Sequence, residues 1–287
     1  MNPTRKKTTH RHLDAKKRSG ERIVVVTAYD HYSAKIVEAA GADVILVGDS
    51  LGMVVQGHDS TLPVRLEHML YHTACVTRVR PASLVVADLP FGTFQRGADV
   101  ALDASVRLVQ ESGAEAVKVE GAGARLRAIE KIVAADIPVW GHVGLTPQSV
   151  HALGGYRVQG REENAAARVK ESARRIQEAG ASAIVLECIP HGLASELSAQ
   201  LEIPTIGIGA GPGCDGQVLV FHDLLGFDEE FQPRFVRRYA DAAGSLTDAV
   251  AAFAADVRSG AFPTLDESFA STGEVAAPPA SESEGLS

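Results

Sequence analysis

Five charged side chains in this sequence stand where ionised groups are expensive. Asp49 closes the run "VILVGDS", Asp88 closes "LVVADLP", Lys118 and Glu120 lie within "AVKVEG", and Glu187 closes "AIVLECIP". Each run is short and apolar, and reads as a strand buried on both faces, where a charge is costly unless paired or bound to metal. A lone Asp after a strand is often only the N-cap of the next helix. Capping fails for Lys118 and Glu120, which sit inside their run, and a spacing of two turns both to one face. Four carboxylates and a lysine gathered at strand ends form a functional constellation.

Repulsion among so many carboxylates calls for a shared cation. Oxygen donors without a His/Cys cluster select a hard ion, so Mg2+ is expected rather than zinc. Magnesium keeps some waters, and two or three carboxylates plus a chelating substrate would complete its shell. A 2-oxo acid chelates through a carboxylate oxygen and its ketone oxygen, and the ion then stabilises an enolate as it forms. A carboxylate left free of metal can take the α-proton as general base. Glu187 is the expected base, because its strand lies two modules beyond that of Glu120, across the mouth. Ser50, beside Asp49, is placed to hydrogen-bond a substrate carboxylate. His142, in "GHVGLTPQS", either donates to the developing enolate oxygen or is a structural histidine tied to a neighbouring carbonyl. His10, His12, His68 and His72 fall on exposed helices or the N-terminal tail in this reading and carry no expected role.

The elements that must position these groups recur along the chain. Apolar runs occur at Ile23–Ala28, Val44–Val47, Leu84–Ala87, Ala116–Val119, Pro138–Trp140, Ala183–Leu186, Pro204–Ile208 and Val218–Phe221. Helical patterns lie between them, such as Asp99–Gly113 and Glu162–Gly180, each closing on a glycine suited to a helix C′ position. "EAAGADVILVGDS", "ESGAEAVKVEG" and "EAGASAIVLEC" repeat one helix–Gly–Ala–strand unit. Eight βα modules without an interrupting domain predict a TIM (β/α)8 barrel over residues 20–270, with its active site at the C-terminal strand ends. The G-x-G-x-x-G fingerprint of an open dinucleotide-binding sheet is missing, since the first strand runs into "TAYDHYSAK". Residues 1–19 are expected to form a basic, solvated tail and a short helix beneath the first strand, and 271–287 a disordered acidic tail. "IGIGAGPGCDGQ" has the look of a phosphate cradle, although tight packing of its glycines is the preferred reading. The long, glycine-punctuated "DSLGMVVQGHDSTLPV" has the form of a substrate-covering lid.

At 287 residues and 45% hydrophobic, the chain can build one large core without disulfides. Cys75, Cys188 and Cys214 are odd in number and widely spaced, so they read as reduced thiols rather than a zinc site. None is expected in a loop after a mid-barrel strand. No apolar stretch approaches the roughly 20 residues of a membrane span. The N-terminus lacks the apolar core of a secretory signal. A net charge of −8 argues against nucleic acid as the main partner. The expectation is a cytoplasmic enzyme of small molecules.

In order from Thr8 to Phe269, "VGDSLGMVVQGHDSTLPV", "ADLPFGTF", "VKVEG", "GHVGLTPQS", "GGYRVQGR", "VLECIP" and "IGIGAGPGCDGQVLV" resemble the ketopantoate hydroxymethyltransferase family. The resemblance implies a barrel like those of the phosphoenolpyruvate mutase/isocitrate lyase superfamily, assembled as a decamer of five dimers. It implies transfer of a hydroxymethyl group from 5,10-methylenetetrahydrofolate to 3-methyl-2-oxobutanoate, the first committed step of pantothenate synthesis. By the same resemblance Asp49, Asp88 and Glu120 bind the metal, Asp49, Ser50, Asp88 and Lys118 contact the oxo acid, and Glu187 accepts the proton. None of these positions departs from the family's pattern; the basic N-terminus and the tail beyond Phe269 do, and they leave assembly contacts open. Two alternatives stand beside it: a magnesium-dependent lyase of the isocitrate lyase type, which would use a loop cysteine, and a non-catalytic barrel scaffold.

Overall fold

Strands buried on both faces need helices outside and a packed interior, and the apolar runs supply both surfaces. In the computed structural model, which describes residues 5–230 and 232–271, they become eight strands. These are β1 Ile23–Thr27, β2 Val44–Val47, β3 Leu84–Asp88, β4 Ala116–Glu120, β5 Val139–Gly144, β6 Ala183–Glu187, β7 Thr205–Ile208 and β8 Gly216–Leu219. Each strand pairs in parallel with the next, and β8 pairs with β1, so the sheet closes as a barrel. Helices Ala98–Ser112 and Glu163–Glu178 lie where the periodicity predicts them. Most strand ends move by a residue or two from expectation, and those of β5 and β8 move furthest. β5 continues past Trp140 to Gly144 because β6 pairs with it from Trp140 to Gly144, which takes His142 into the sheet. β8 ends at Leu219, and Phe221 instead opens the short helix Phe221–Leu225.

The alternation of side chains sorts the strands into two cores. Ile45, Val47, Val85, Ala87, Val117, Val119, Ile184 and Leu186 face the helices in one cluster. Val44, Leu46, Leu84, Val86, Ala116, Trp140, Ala183 and Val185 fill the barrel interior in another. Counting on by two from the interior set reaches Asp88, Lys118, Glu120, His142 and Glu187. The polar constellation is thus the upper continuation of the interior core, on the same strands and the same face.

The opposite end is plugged by the chain's own N-terminus. Leu13, on the helix His10–Ser19, joins the interior cluster. The expected solvated tail is therefore more tightly held than its composition implies. Arg5 pairs with Glu38 at 3.6 Å, Lys7 with Glu115 at 2.7 Å, Lys16 with Asp43 at 2.9 Å and Lys17 with Asp215 at 2.7 Å. The histidines given no role prove to be structural. His10 Nε2 accepts from Trp140 Nε1 at 3.3 Å, and His12 Nδ1 accepts from Thr9 N at the start of that helix. His68 Nδ1 accepts from Arg65 N, while His72 Nδ1 lies 2.6 Å from the Tyr29 carbonyl.

The chain divides into two compact units after Tyr239. The barrel belongs to the first, so the span 20–270 read as one domain is divided there. The second unit carries the helix Ala242–Ser259, which Asp241 caps by accepting from Gly244 N. Leu246, Val250, Phe253 and Val257 are exposed on it at helical spacing. The acidic tail expected over 271–287 lies, beyond Ser271, outside the described residues. No helix among the described residues is long and apolar enough to cross a membrane.

Candidate active site

Strand register brings the charged residues side by side. Asp88 of β3 lies opposite Lys118 of β4, Glu120 lies opposite His142 of β5, and Gly144 lies opposite Glu187 of β6. Lys118 Nζ is 3.1 Å from Asp88 Oδ1 and 3.8 Å from Glu120 Oε1. His142 sits between two acids, with Nδ1 3.5 Å from Glu120 Oε1 and Nε2 3.1 Å from Glu187 Oε2. Just beyond β2, Asp49 donates its backbone N–H to Asp88 Oδ2 at 3.1 Å. The residues expected from five separate strands and loops therefore form one connected cluster.

His142 is not the structural histidine tied to a backbone carbonyl that was one of the two expectations. Its ring nitrogens face carboxylates rather than a backbone carbonyl, because β5 extends far enough to carry it between β4 and β6. Ser50 is likewise already engaged: its Oγ is 2.8 Å from the hydroxyl of Tyr29, which is fully buried. Tyr29, on the turn after β1, was not singled out by sequence. A polar residue just past an apolar strand was the available signal, but without charge it carried no contrast.

Burial in this cluster is costly, and the charges answer it unevenly. Burial, with Asp88 and Glu120 close by, drives the Asp49 carboxyl well above the usual range. Burial also raises Asp88, against the pull of Lys118. Glu120 would rise by burial too, yet hydrogen bonding to His142 and the charge of Lys118 hold it below its ordinary value. Lys118 resists its own burial because Asp88, Glu120 and Asp49 raise it. Burial and Lys118 push His142 down, but its contacts with Glu120 and Glu187 prevail and carry it to about 9. Glu187 is the most accessible of these acids, with 17% of its side chain exposed against 3–4% for Asp88 and Glu120. It is the carboxylate best placed to meet a substrate entering from the mouth.

Two backbone features fix Glu187. Gly144 has φ +96, and a Cβ there would fall 2.1 Å from the Glu187 carbonyl oxygen, so only glycine allows the two strands this approach. Cys188 follows at φ +47, its N–H donating to Ile208 O and its carbonyl accepting from Gln159 N. A cysteine does therefore follow a mid-barrel strand, where none was expected. It is buried, and burial together with Glu187 pushes its thiol up to about 12, so it is not a reactive thiolate. The glycines after β7 serve packing. A Cβ on Gly211 would meet His191 Cβ at 2.4 Å, and one on Gly213 would meet Ser195 Oγ at 2.0 Å. The long segment after β2 begins as the helical turn Leu51–Val54, with Gly52 lying under Val64.

The donor set fits a hard divalent cation. Asp88 Oδ1 is buried without an aligned hydrogen bond, and Asp49 is crowded by two further carboxylates. Among the described residues no three His, Cys, Asp or Glu side chains are grouped so that together they could hold a metal ion. Magnesium does not require such a group, because it commonly binds through one or two carboxylates and completes its shell with water and substrate. Gln148 was passed over as well, and it joins Asp49 to Glu120 through its side chain and backbone.

Comparison with known proteins identifies the fold and the family. The barrel superposes on 2,3-dimethylmalate lyase, a PEP mutase/isocitrate lyase superfamily member, with a TM-score of 0.56, covering 92% of this chain and 93% of that one. At 18% identity that likeness speaks for the fold. The 3-methyl-2-oxobutanoate hydroxymethyltransferase of Trichlorobacter lovleyi is 53% identical over 92% of this chain and 99% of its own length. The enzyme of that name from Geobacter sulfurreducens is 54% identical over 88% of this chain and 95% of its own. The family model for ketopantoate hydroxymethyltransferase matches residues 7–265, which include every residue of the cluster, and the chain belongs to that family.

Proposed function

We propose that this chain transfers a hydroxymethyl group from 5,10-methylenetetrahydrofolate to 3-methyl-2-oxobutanoate, giving 2-dehydropantoate for pantothenate and coenzyme A synthesis. The observation that carries this reading is the convergence of Asp49, Asp88, Lys118, Glu120 and Glu187 in one mouth, in a chain of this family. Asp49, Asp88 and Glu120 hold Mg2+, which supplies Lewis-acid withdrawal of charge from the ketone oxygen when bound. Asp49, Ser50, Asp88 and Lys118 receive the oxo acid, with Lys118 offsetting the charge of its carboxylate or enolate. Glu187 takes the proton from C3, and His142, 3.1 Å away, holds that carboxylate in place. The C3 carbanion bonds to the one-carbon unit and water supplies its hydroxyl oxygen, while both bonds from that carbon to the two folate nitrogens break and those nitrogens take up the C3 proton and one proton of the water. The protein acts in the cytoplasm as a decamer of five dimers.

A direct assay tests the reading. Purified protein with magnesium and both substrates should form 2-dehydropantoate, and omission of the folate should abolish it. Turnover of the oxo acid without folate would overturn the transferase reading.

A further inference from the structure

Gln148 has no part in the reaction just described, yet every polar atom of its amide is used. It lies on the turn after β5 and is 5% exposed. Its Nε2 donates to Asp49 Oδ2 at 2.8 Å and to the Leu89 carbonyl at 2.9 Å. Its Oε1 accepts from Gln95 Nε2 at 2.8 Å, and its backbone N–H donates to Glu120 Oε2 at 3.0 Å. Gln95, in the loop after β3, accepts on Oε1 from the Gly92 N–H at 2.8 Å.

The direction of this chain of bonds is fixed from its far end. A backbone N–H can only donate, so the Gly92 bond decides which end of the Gln95 amide is oxygen. Gln95 must then donate to Gln148, and Gln148 must donate to Asp49. Asp49 Oδ2 receives a donor whose polarity the main chain dictates, while the backbone N–H of Gln148 engages Glu120 Oε2. Loops after β2, β3 and β5 are tied together by two amides.

We propose that Gln95 and Gln148 form a positioning relay that engages Asp49 Oδ2 and offers Oδ1 to the cation and the oxo acid. Neither amide touches the reacting atoms. A carboxylate held by a fixed donor is presented in one orientation, and loss of such supporting partners commonly costs 10- to 100-fold in metal affinity. Because Gln95 acts only through Gln148, the two form a series and their losses should not add. The relay rests on the proposed metal-assisted reading of Asp49.

Calorimetry of Mg2+ and 3-methyl-2-oxobutanoate binding to Asp49→Asn, Gln148→Met, Gln95→Leu and the double variant separates the two ideas. Gln148→Met should weaken magnesium-dependent binding by about 10- to 100-fold. Gln95→Leu should weaken it less, and the double variant should match Gln148→Met alone. In steady-state kinetics the loss should fall on the KM for the oxo acid and leave the KM for the folate unchanged. Wild-type affinity in Gln148→Met, or additive losses in the double variant, would overturn the relay while Asp49→Asn still abolishes binding. Unchanged binding in Asp49→Asn would overturn the metal reading and the relay with it. Should Gln148→Met fail to fold, Gln95→Leu at its half-buried position decides, and wild-type affinity there refutes the relay.

Discussion

At the scale of single residues, Lys118 sets the charge balance of the mouth. It is buried against Asp88 and Glu120, so its removal strands carboxylates in a site with little water. Truncating one partner of a buried charge cluster typically costs about 3–5 kcal/mol. Lys118→Met should lose stability of that size in urea unfolding at neutral pH, and adding Asp88→Asn should recover part of it. Wild-type stability in Lys118→Met would mean that the lysine does not serve the acids. The charged members of the site were legible in the sequence because a charge inside an apolar run stands out against its neighbours. Gln148 and Tyr29 were not, since a neutral polar residue on a loop offers no such contrast until the barrel closes around it. His142 was visible as a residue, but its partners depend on pairing between β5 and both neighbouring strands.

At the scale of elements, register decides the chemistry. Lys118 meets Asp88, and His142 meets Glu120, because their strands pair at those positions. The strands themselves were readable from runs of Val, Ile, Leu and Ala. The full length of β5 was not, because "GHVG" has weak strand preference and is held extended by β6. Gly144 shows how a strand end places a side chain. Gly144→Ala puts a Cβ into the Glu187 carbonyl and forces a positive φ on a residue that resists it. Displacing the Glu187 carboxylate, the proposed base, should lower kcat by about 100-fold, the cost that a misplacement near 1 Å can carry. Circular dichroism should still report a folded barrel, and an unchanged kcat would show that Gly144 does not position Glu187.

At the scale of the whole molecule, one barrel interior is apolar below and ionic above, and the N-terminal helix seals the lower end. Closure of eight parallel strands was legible from the repeated βα unit. The seal was not, because a basic N-terminus looks solvated until its lysines find the acids at the strand starts. His10 makes that seal sensitive to pH. Burial lowers it from 6.5 to about 4, and neutral His10 accepts the Trp140 N–H. Above pH 6.5 both folded and unfolded chains hold it neutral, and its contribution is complete. As pH falls from 6.5 toward 4 the unfolded chain takes up the proton first, and stability is lost, on the order of 3 kcal/mol. His10→Gln should flatten this stretch of the stability curve in urea unfolding between pH 7 and pH 4.5, and an equally steep decline would clear His10 of the effect.

The proposed chemistry depends on ionisation of an oxo acid in this mouth, with Glu187 removing the proton. Nuclear magnetic resonance in deuterated water, with 3-methyl-2-oxobutanoate, magnesium and no folate, measures that step alone. Wild-type protein should exchange the C3 hydrogen for deuterium, and Glu187→Gln should bind the oxo acid without exchanging it. Exchange by Glu187→Gln at the wild-type rate would contradict the assignment of the base.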